Sequence, residues 1–344
     1  MSQHQHYKAH NIAALPTADS LLDKMIDGRE FESLLNYTYT NINIRDEIRK
    51  AIQELQGIRK HPVVCYVANT VSPNVKANIS INQEDDLPFN ELISTVDPAV
   101  KEVDVLLVTP GGSAQQVDKF VNALRPRFNK VNFIIPSSAM SAGSIFIMSG
   151  DEIIMTAKSC FGPIDPQVPD KNGQFVPAQS ILELIEEIQK RGQDALSKRE
   201  NPRWTDLQIL NNMDAKEIGN AYTGSKYSVD LVTHYLRDYK FRNWLNHSNG
   251  SKVTDIDKEQ AASRIANLLC DHGIWKTHGY GITREVAENV LKLKITRAEN
   301  VDGLECAIRR MWALLYWVFE STPIYKIFIS SNYCVVKHDI TPVL

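Results

Sequence analysis

The chain lacks the features that would tie it to nucleic acid, to a membrane or to a bound cofactor. Its 38 Lys and Arg are offset by 41 Asp and Glu, a net charge of −3. No cationic excess is present to meet a phosphate backbone or an anionic lipid surface. The most apolar late stretch, "MWALLYWVF" at 311–319, is nine residues long and stops at Glu320. A spanning helix needs about 20 apolar residues, so this one reads as a buried or partner-facing helix. The N-terminal "MSQHQHYKAHNIAALPTADS" has no apolar core of a signal peptide, which predicts a cytoplasmic protein. Cysteine is scarce: Cys65, Cys160, Cys270, Cys306 and Cys334 are odd in number, widely spaced and form no C-x-x-C. Free, mostly core thiols in a reducing compartment fit that pattern. No G-x-G-x-x-G follows a strand, and no H-E-x-x-H or other close metal-ligand spacing occurs. No cofactor and no metal are therefore expected. A Walker A motif is also missing, so ATP-driven unfolding of a substrate would need a separate ATPase partner. There is no internal repeat and no low-complexity segment.

What is present is a chain of 344 residues, 43% hydrophobic, enough for one large domain with appendages. Residues 1–20 read as a flexible terminus, where His4, His6 and His10 are more simply solvated than metal-bound. Residues 20–57 carry apolar residues at three- and four-residue steps and read as helix. "VVCYVAN" at 63–69 is a short strand, and the polar stretch after it, to Pro88, reads as loop. From 103 the pattern becomes strand–turn–helix. "VDVLLVTP" is followed by Gly-Gly and a helix over 114–126, and "KVNFIIP" by a serine-rich turn and a helix ending near Gly150. "DEIIM" then gives a third strand. This alternation predicts a parallel sheet with right-handed crossovers. After 167 the chain turns mainly helical, with Ser180 and Glu183 spaced as a capping box.

Two turns fall at the C-terminal ends of adjacent strands, the edge where open parallel sheets bind ligands. The first is "TPGGSA", 109–114, whose glycines let the backbone approach a ligand and aim N–H groups outward. The second is "AMSAGS", 139–144, which puts Ser141 where a strand turns into a helix. Unpaired N–H groups gather at such a helix start. A serine attacking a carbonyl needs those donors beside it. Each turn alone has a plainer use, because Gly-Gly makes tight turns and serine often caps helices. The two together, one helix apart, point to nucleophilic chemistry.

"LLVTPGGSA", "IIPSSAMSAGSIFIMSGDEIIM" and "FGPIDPQ", in that order, resemble the serine dehydrogenase proteinase family. These are Clp-fold serine proteases, relatives of the Clp protease subunit and of signal peptide peptidase. The resemblance covers about residues 60–170 and continues weakly to "THGYGI" at 277–282. It implies an α/β Clp/crotonase-like superhelical fold of strand–turn–helix units with helical N- and C-terminal extensions. On that reading residues 1–57 form a flexible terminus and helical arm, 58–295 the protease domain, and 296–344 a C-terminal helical tail.

The resemblance also implies peptide-bond hydrolysis through an acyl-enzyme. Ser141 matches the nucleophile. Gly111 and Gly112 match the first oxyanion turn, and the N–H of Ala142 supplies the second donor. The stretch where a Clp subunit places its histidine reads "GPIDPQ" here, so the base comes from elsewhere. The family's Ser, Asp, His chain order leaves His272 and His278, and the motif around "THGYGI" favours His278. Asp165 is the expected orienting acid, with Asp170, Asp194 and Asp271 as alternatives. A Ser–Lys dyad through Lys190 or Lys198 is the rival arrangement, although Lys190 lies off the apolar face set by Ile181, Ile185 and Ile188. A peptide or protein substrate and a homo-oligomer are implied, with the N-terminal helices and 311–319 as contact surfaces. An acyl-CoA enzyme of the crotonase type and a non-catalytic assembly module are the competing readings.

Overall fold

The structure, a computed structural model, describes residues 21–35, 43–72, 77–169 and 173–339. His4, His6, His10 and Asp170 lie outside the described residues. In chain order the helices are α1 (Glu30–Leu35), α2 (Ile44–Arg59), α3 (Asp86–Ser94), α4 (Ala114–Leu124), α5 (Ala142–Met148) and α6 (Ala178–Ser197). They continue as α7 (Trp204–Asn212), α8 (Ala215–Tyr235), α9 (Asp255–Cys270), α10 (His272–Trp275), α11 (Arg284–Val286) and α12 (Leu304–Ser321). The strands are β1 (Val63–Ala68), β2 (Glu102–Val108), β3 (Lys130–Ile135), β4 (Ser138–Ala139), β5 (Glu152–Met155) and β6 (Cys160–Phe161). After these come β7 (Gln167–Pro169), β8 (Phe175–Pro177), β9 (Ile282–Thr283), β10 (Thr296–Arg297), β11 (Ile324–Ile329) and β12 (Cys334–His338).

The main sheet has the order β10-β5-β3-β2-β1-β11-β12. The run from β10 to β1 is parallel, while β11 and β12 add antiparallel. The continuous apolar runs have a simple cause: helices cover both faces, so both sets of alternating side chains must be apolar. In β2, Val103, Val105 and Leu107 join the core under α3, α4, α5 and α8. Leu106 and Val108 point the other way, into the core under α2 and α12. Val64 and Tyr66 of β1 likewise face opposite to Val63, Cys65 and Val67. Buried polar residues also sit inside the sheet, Asn132 and Lys326 among them; Asp104 receives Arg59 Nε at 2.6 Å, and Arg59 also reaches Glu152 at 2.6 Å. This pair of ion bonds ties α2 to β2 and β5.

The strand–turn–helix units expected from the sequence are present, and four local differences have physical reasons. The segment read as loop before Pro88 starts a helix, because Asn82 and Asp85 form a capping box and Pro88 falls in the first turn of α3. The box expected at Ser180 does not form. Pro177 is the N-cap of α6, and Ser180 Oγ turns back to donate to Pro177 O at 2.7 Å. Residues 296–344 are not helical throughout, since β11 and β12 follow α12 and extend the main sheet. Finally, the 311–319 stretch is mostly interior. Met311, Leu314, Leu315, Val318 and Phe319 of α12 are buried in the core that also takes Ile48, Ile52 and Leu55 of α2. Among the described residues no helix is long and apolar enough to cross a membrane.

A second, small sheet, β4-β6-β9, stands beside the ends of β2 and β3. Its parallel pair matches Ser138 with Cys160 and Ala139 with Phe161, and β9 closes it antiparallel. It draws three distant pieces of chain together: the turn before α5, the segment leading to Asp165, and the loop ahead of Ile282.

Candidate active site

The two turns picked out in the sequence lie side by side. Thr109 N–H donates to Ser138 O at 3.0 Å, and Met140 N–H donates to Thr109 O at 2.9 Å. Gly111 is so close to the second turn that a Cβ there would stand 2.5 Å from Ser141 Cβ. Only glycine fits, and its φ of +107° also suits glycine.

Ser141 is the N-cap of α5, with φ 52° and ψ −117°, and its side chain makes no cap hydrogen bond. That separates it from an ordinary capping serine, whose hydroxyl would accept from the first turn. Positive φ in a non-glycine residue costs about 1–3 kcal/mol and persists where the surroundings impose it. The imposing contacts are visible. Gly143 N–H donates to Met140 O at 2.8 Å and Ser144 N–H to Ser141 O at 2.8 Å. Ser144 itself is fully buried; its Oγ donates to Ala139 O at 2.9 Å and accepts from Gly162 N–H at 2.9 Å. Ser144 thus bolts the elbow to β6, a bonding role beyond that of a small packing residue.

The backbone donors divide unequally. Gly111 N–H is occupied by Thr109 Oγ1 at 3.1 Å, and Ser113 N–H by Ile81 O at 2.9 Å. Gly112 N–H lies between them with no acceptor among the described residues, as does Ala142 N–H. Of the two glycines, Gly112 carries the open donor and Gly111 provides the close approach. Thr109 and Ile81, which hold this geometry, carried no signal of their own in the sequence.

Ser141, Gly112 and Ala142 line one cavity of about 540 Å³ together with His278. Apolar walls come from Ile145, Ile164 and Val168, and Tyr227 and Ser228 of α8 close one side. His278 Nδ1 is 2.8 Å from Asp165 Oδ1. Asp165 is 1% exposed, and its other oxygen accepts from Gln167 Nε2 at 3.3 Å. His272 Nδ1 comes within 3.4 Å of Asp165 Oδ2 but misses hydrogen-bond geometry, and no partner is found for that buried atom among the described residues. The sequence alternatives fall elsewhere. Lys190, Lys198 and Asp194 are exposed on α6, or just past its end, away from the cavity. Asp271 caps α10, its Oδ1 accepting from Ile274 N–H at 3.2 Å. Behind Asp165, burial and the nearby Asp165 charge push the Cys270 thiol up to about 12, so it is no nucleophile at neutral pH. Among the described residues no cluster of three metal-ligating side chains occurs.

The arrangement holds what acyl transfer asks for: an uncapped hydroxyl on a strained backbone, two N–H donors open among the described residues and an acid-bonded imidazole at one cavity. Residues 79–199 match the sequence model of the family described as ClpP-like SDH-type serine proteinase. The resemblance read from the motifs is matched over this stretch, which is similar to a serine proteinase family, and the sheet and helices give the expected α/β architecture. Two uncharacterised proteins of Methanocaldococcus jannaschii are similar to the chain. One is 34% identical over 193 residues, covering 56% of this chain and 53% of the relative. The other is 42% identical over 86 residues, covering 25% and 28%. The chain thus spans about half the length, or less, of the curated relatives it matches. Among solved structures, a variant of a membrane-bound stomatin-specific protease with a substrate peptide is 14% identical. It covers 75% of this chain and 82% of that one, with a TM-score of 0.38. A ClpP1 variant from Listeria monocytogenes is 14% identical, covering 49% and 90%, with a TM-score of 0.26.

Proposed function

We propose that the protein is a serine peptidase that cleaves peptide bonds through an acyl-enzyme on Ser141. The observation that carries the reading is that an uncapped, positive-φ Ser141 and an Asp165-bonded His278 line the same cavity. With Nδ1–H donating to Asp165, His278 presents the Nε2 lone pair as general base. It takes the Ser141 proton as Oγ bonds to the scissile carbonyl carbon. The carbonyl oxygen becomes an oxyanion held by Gly112 N–H and Ala142 N–H, each donor worth a factor of about 10² to 10³. The protonated imidazole then gives its proton to the leaving amine. Water, deprotonated by the same nitrogen, releases the acid product and restores Ser141. Asp165 fixes the imidazole tautomer and stabilises the imidazolium.

The reading extends to a cytoplasmic homo-oligomer acting on peptides or proteins, with any unfolding supplied by a separate ATPase. Its test is labelling with a fluorophosphonate probe followed by peptide mapping. Modification of Ser141 in the folded protein, lost in Ser141→Ala, is the expected result. An unlabelled folded protein would refute the assignment. A rise in melting temperature with an acyl-CoA would then favour the crotonase-type alternative.

A further inference from the structure

The oxyanion donor Gly112 is aimed by a neighbouring strand-like segment, and that segment is pinned by a buried charge pair. Gly112 N–H belongs to the same planar peptide unit as Gly111 C=O, so fixing one end of the unit points the other in the opposite direction. Ile81 N–H donates to Gly111 O at 2.7 Å, and Ile81 O accepts from Ser113 N–H at 2.9 Å. The two bonds flank Gly112 and leave its own N–H for the cavity. The contact is tight enough that a Cβ on Gly112 would stand 2.4 Å from Ile81 O. A bond accepted by Gly111 C=O also polarises the peptide and strengthens its N–H as a donor.

What holds Ile81 in place lies on both sides of it. Lys326, on β11, is 1% exposed, and its Nζ donates to Ser80 O at 2.7 Å. The same ammonium reaches both oxygens of Asp85, at 2.9 and 2.8 Å. Asp85 is fully buried and accepts further bonds from Tyr66 Oη at 2.9 Å, Asn82 N–H at 3.1 Å and Lys337 Nζ at 3.0 Å. The carboxylate therefore clamps the turn after Ile81, and the ammonium clamps the carbonyl before it. Neither group reaches the cavity, although Ser80 lines its rim. A fully buried ion pair is a poor way to gain stability, since an apolar pair of the same volume often does as well. Its position, bonding the residues on either side of Ile81, whose N–H is the closer donor to Gly111 O, gives it another use.

We infer that Lys326 and Asp85 are positioning residues for the oxyanion donor Gly112, acting through Ser80 and Ile81 and not by touching substrate. The inference rests on the proposed peptidase site, because aim matters only where an oxyanion forms. The C-terminal strands β11 and β12, which supply Lys326 and Lys337, thereby take part in building the site.

Fluorophosphonate labelling of Ser141 tests this, with rate measured against probe concentration. The maximal labelling rate of Lys326→Met should fall by about 10²-fold, the effect of a misplacement near 1 Å, while the half-saturating probe concentration stays within about twofold. Arg309→Met, which breaks the remote Arg309–Glu30 pair, is the control for simple destabilisation and should label at the wild-type rate. If Lys326→Met does not fold, Asp85→Asn keeps the shape and removes the charge, with the same split expected. Wild-type labelling with an unchanged maximal rate in the folded variants overturns the positioning role alone. Absence of labelling in the wild type overturns this role and the peptidase reading together.

Discussion

His278 Nδ1 and Asp165 Oδ1, 113 positions apart in the chain, meet at 2.8 Å. The meeting depends on the small sheet: β6 leads to the Gly162–Asp165 segment, and β9 follows directly after the loop that bears His278. Asp165→Asn keeps the size but turns an acceptor-only group into one that can offer N–H. The amide favours the imidazole tautomer with Nε2 protonated, which has no lone pair for Ser141. Turnover of a peptide substrate should drop by about 10³- to 10⁴-fold with KM little changed. A drop under about tenfold would remove Asp165 from the mechanism.

The two histidines beside Asp165 should behave differently. His278 lines the cavity and its Nδ1 bonds to Asp165; His272 is not among the lining residues, and its Nδ1 has no partner among the described residues. His278→Ala should reduce labelling of Ser141 by about 10²-fold or more, the usual size of a lost general base. His272→Ala should reduce it by less than about threefold. Reversal of that order in labelling rates would transfer the base to His272.

Ser141→Gly should abolish labelling yet make the protein more stable. Glycine adopts φ 52°, ψ −117° without a Cβ clash, so the strain held at Ser141 is released. A gain of about 1 kcal/mol corresponds to roughly 1–3 °C in melting temperature for a chain of this size. Scanning calorimetry of the two proteins checks it, and a lower melting temperature in the variant contradicts strain at the elbow.

Much of this was legible in the sequence, and the rest was hidden for identifiable reasons. Buried parallel strands announce themselves as unbroken apolar runs, so β2, β3 and β5 and the turns after β2 and β3 could be read directly. Ser141, Gly111 and Gly112 followed from those turns. The split between Gly111 and Gly112 did not, because it depends on which N–H Thr109 Oγ1 occupies. Ser144 reads as a small filler, and its bonds to Ala139 and Gly162 require knowing that β4 and β6 pair. The strands β11 and β12 escaped notice because the polar Lys326 breaks the pattern of "IYKIFI", and its partner Asp85 is 241 residues away.

Stability should weaken toward both ends of the pH scale through named groups. Burial raises Asp104, but the nearby His61 and the bonds from Arg59 and Asn132 outweigh it and hold the carboxyl below its ordinary range. Its contribution is complete above the unfolded value near 4 and is lost as pH falls through the lower folded value. Cys270 moves the other way, raised by burial to about 12. The unfolded thiol ionises near 8.5, so stability is full below that and declines as pH rises toward 12. Denaturant midpoints across pH should show both flanks. Asp104→Asn should flatten the acid one and Cys270→Ala the alkaline one; unchanged flanks would assign them to other groups.

Ser144→Ala separates the scaffold of the elbow from its chemistry. The substitution removes one hydroxyl that both donates to Ala139 O and accepts from Gly162 N–H, all in a fully buried setting. Losing it leaves Gly162 N–H without its acceptor, at a cost of about 1–3 kcal/mol. The β4–β6 pairing also loosens, and with it the link between the Ser141 turn and the segment carrying Asp165. The melting temperature should therefore fall, and labelling of Ser141 should slow while remaining measurable, since Ser141, His278 and the open N–H groups of Gly112 and Ala142 are all retained. If stability and labelling are both unchanged, the elbow is held by its backbone bonds alone and the Ser144 bridge is dispensable.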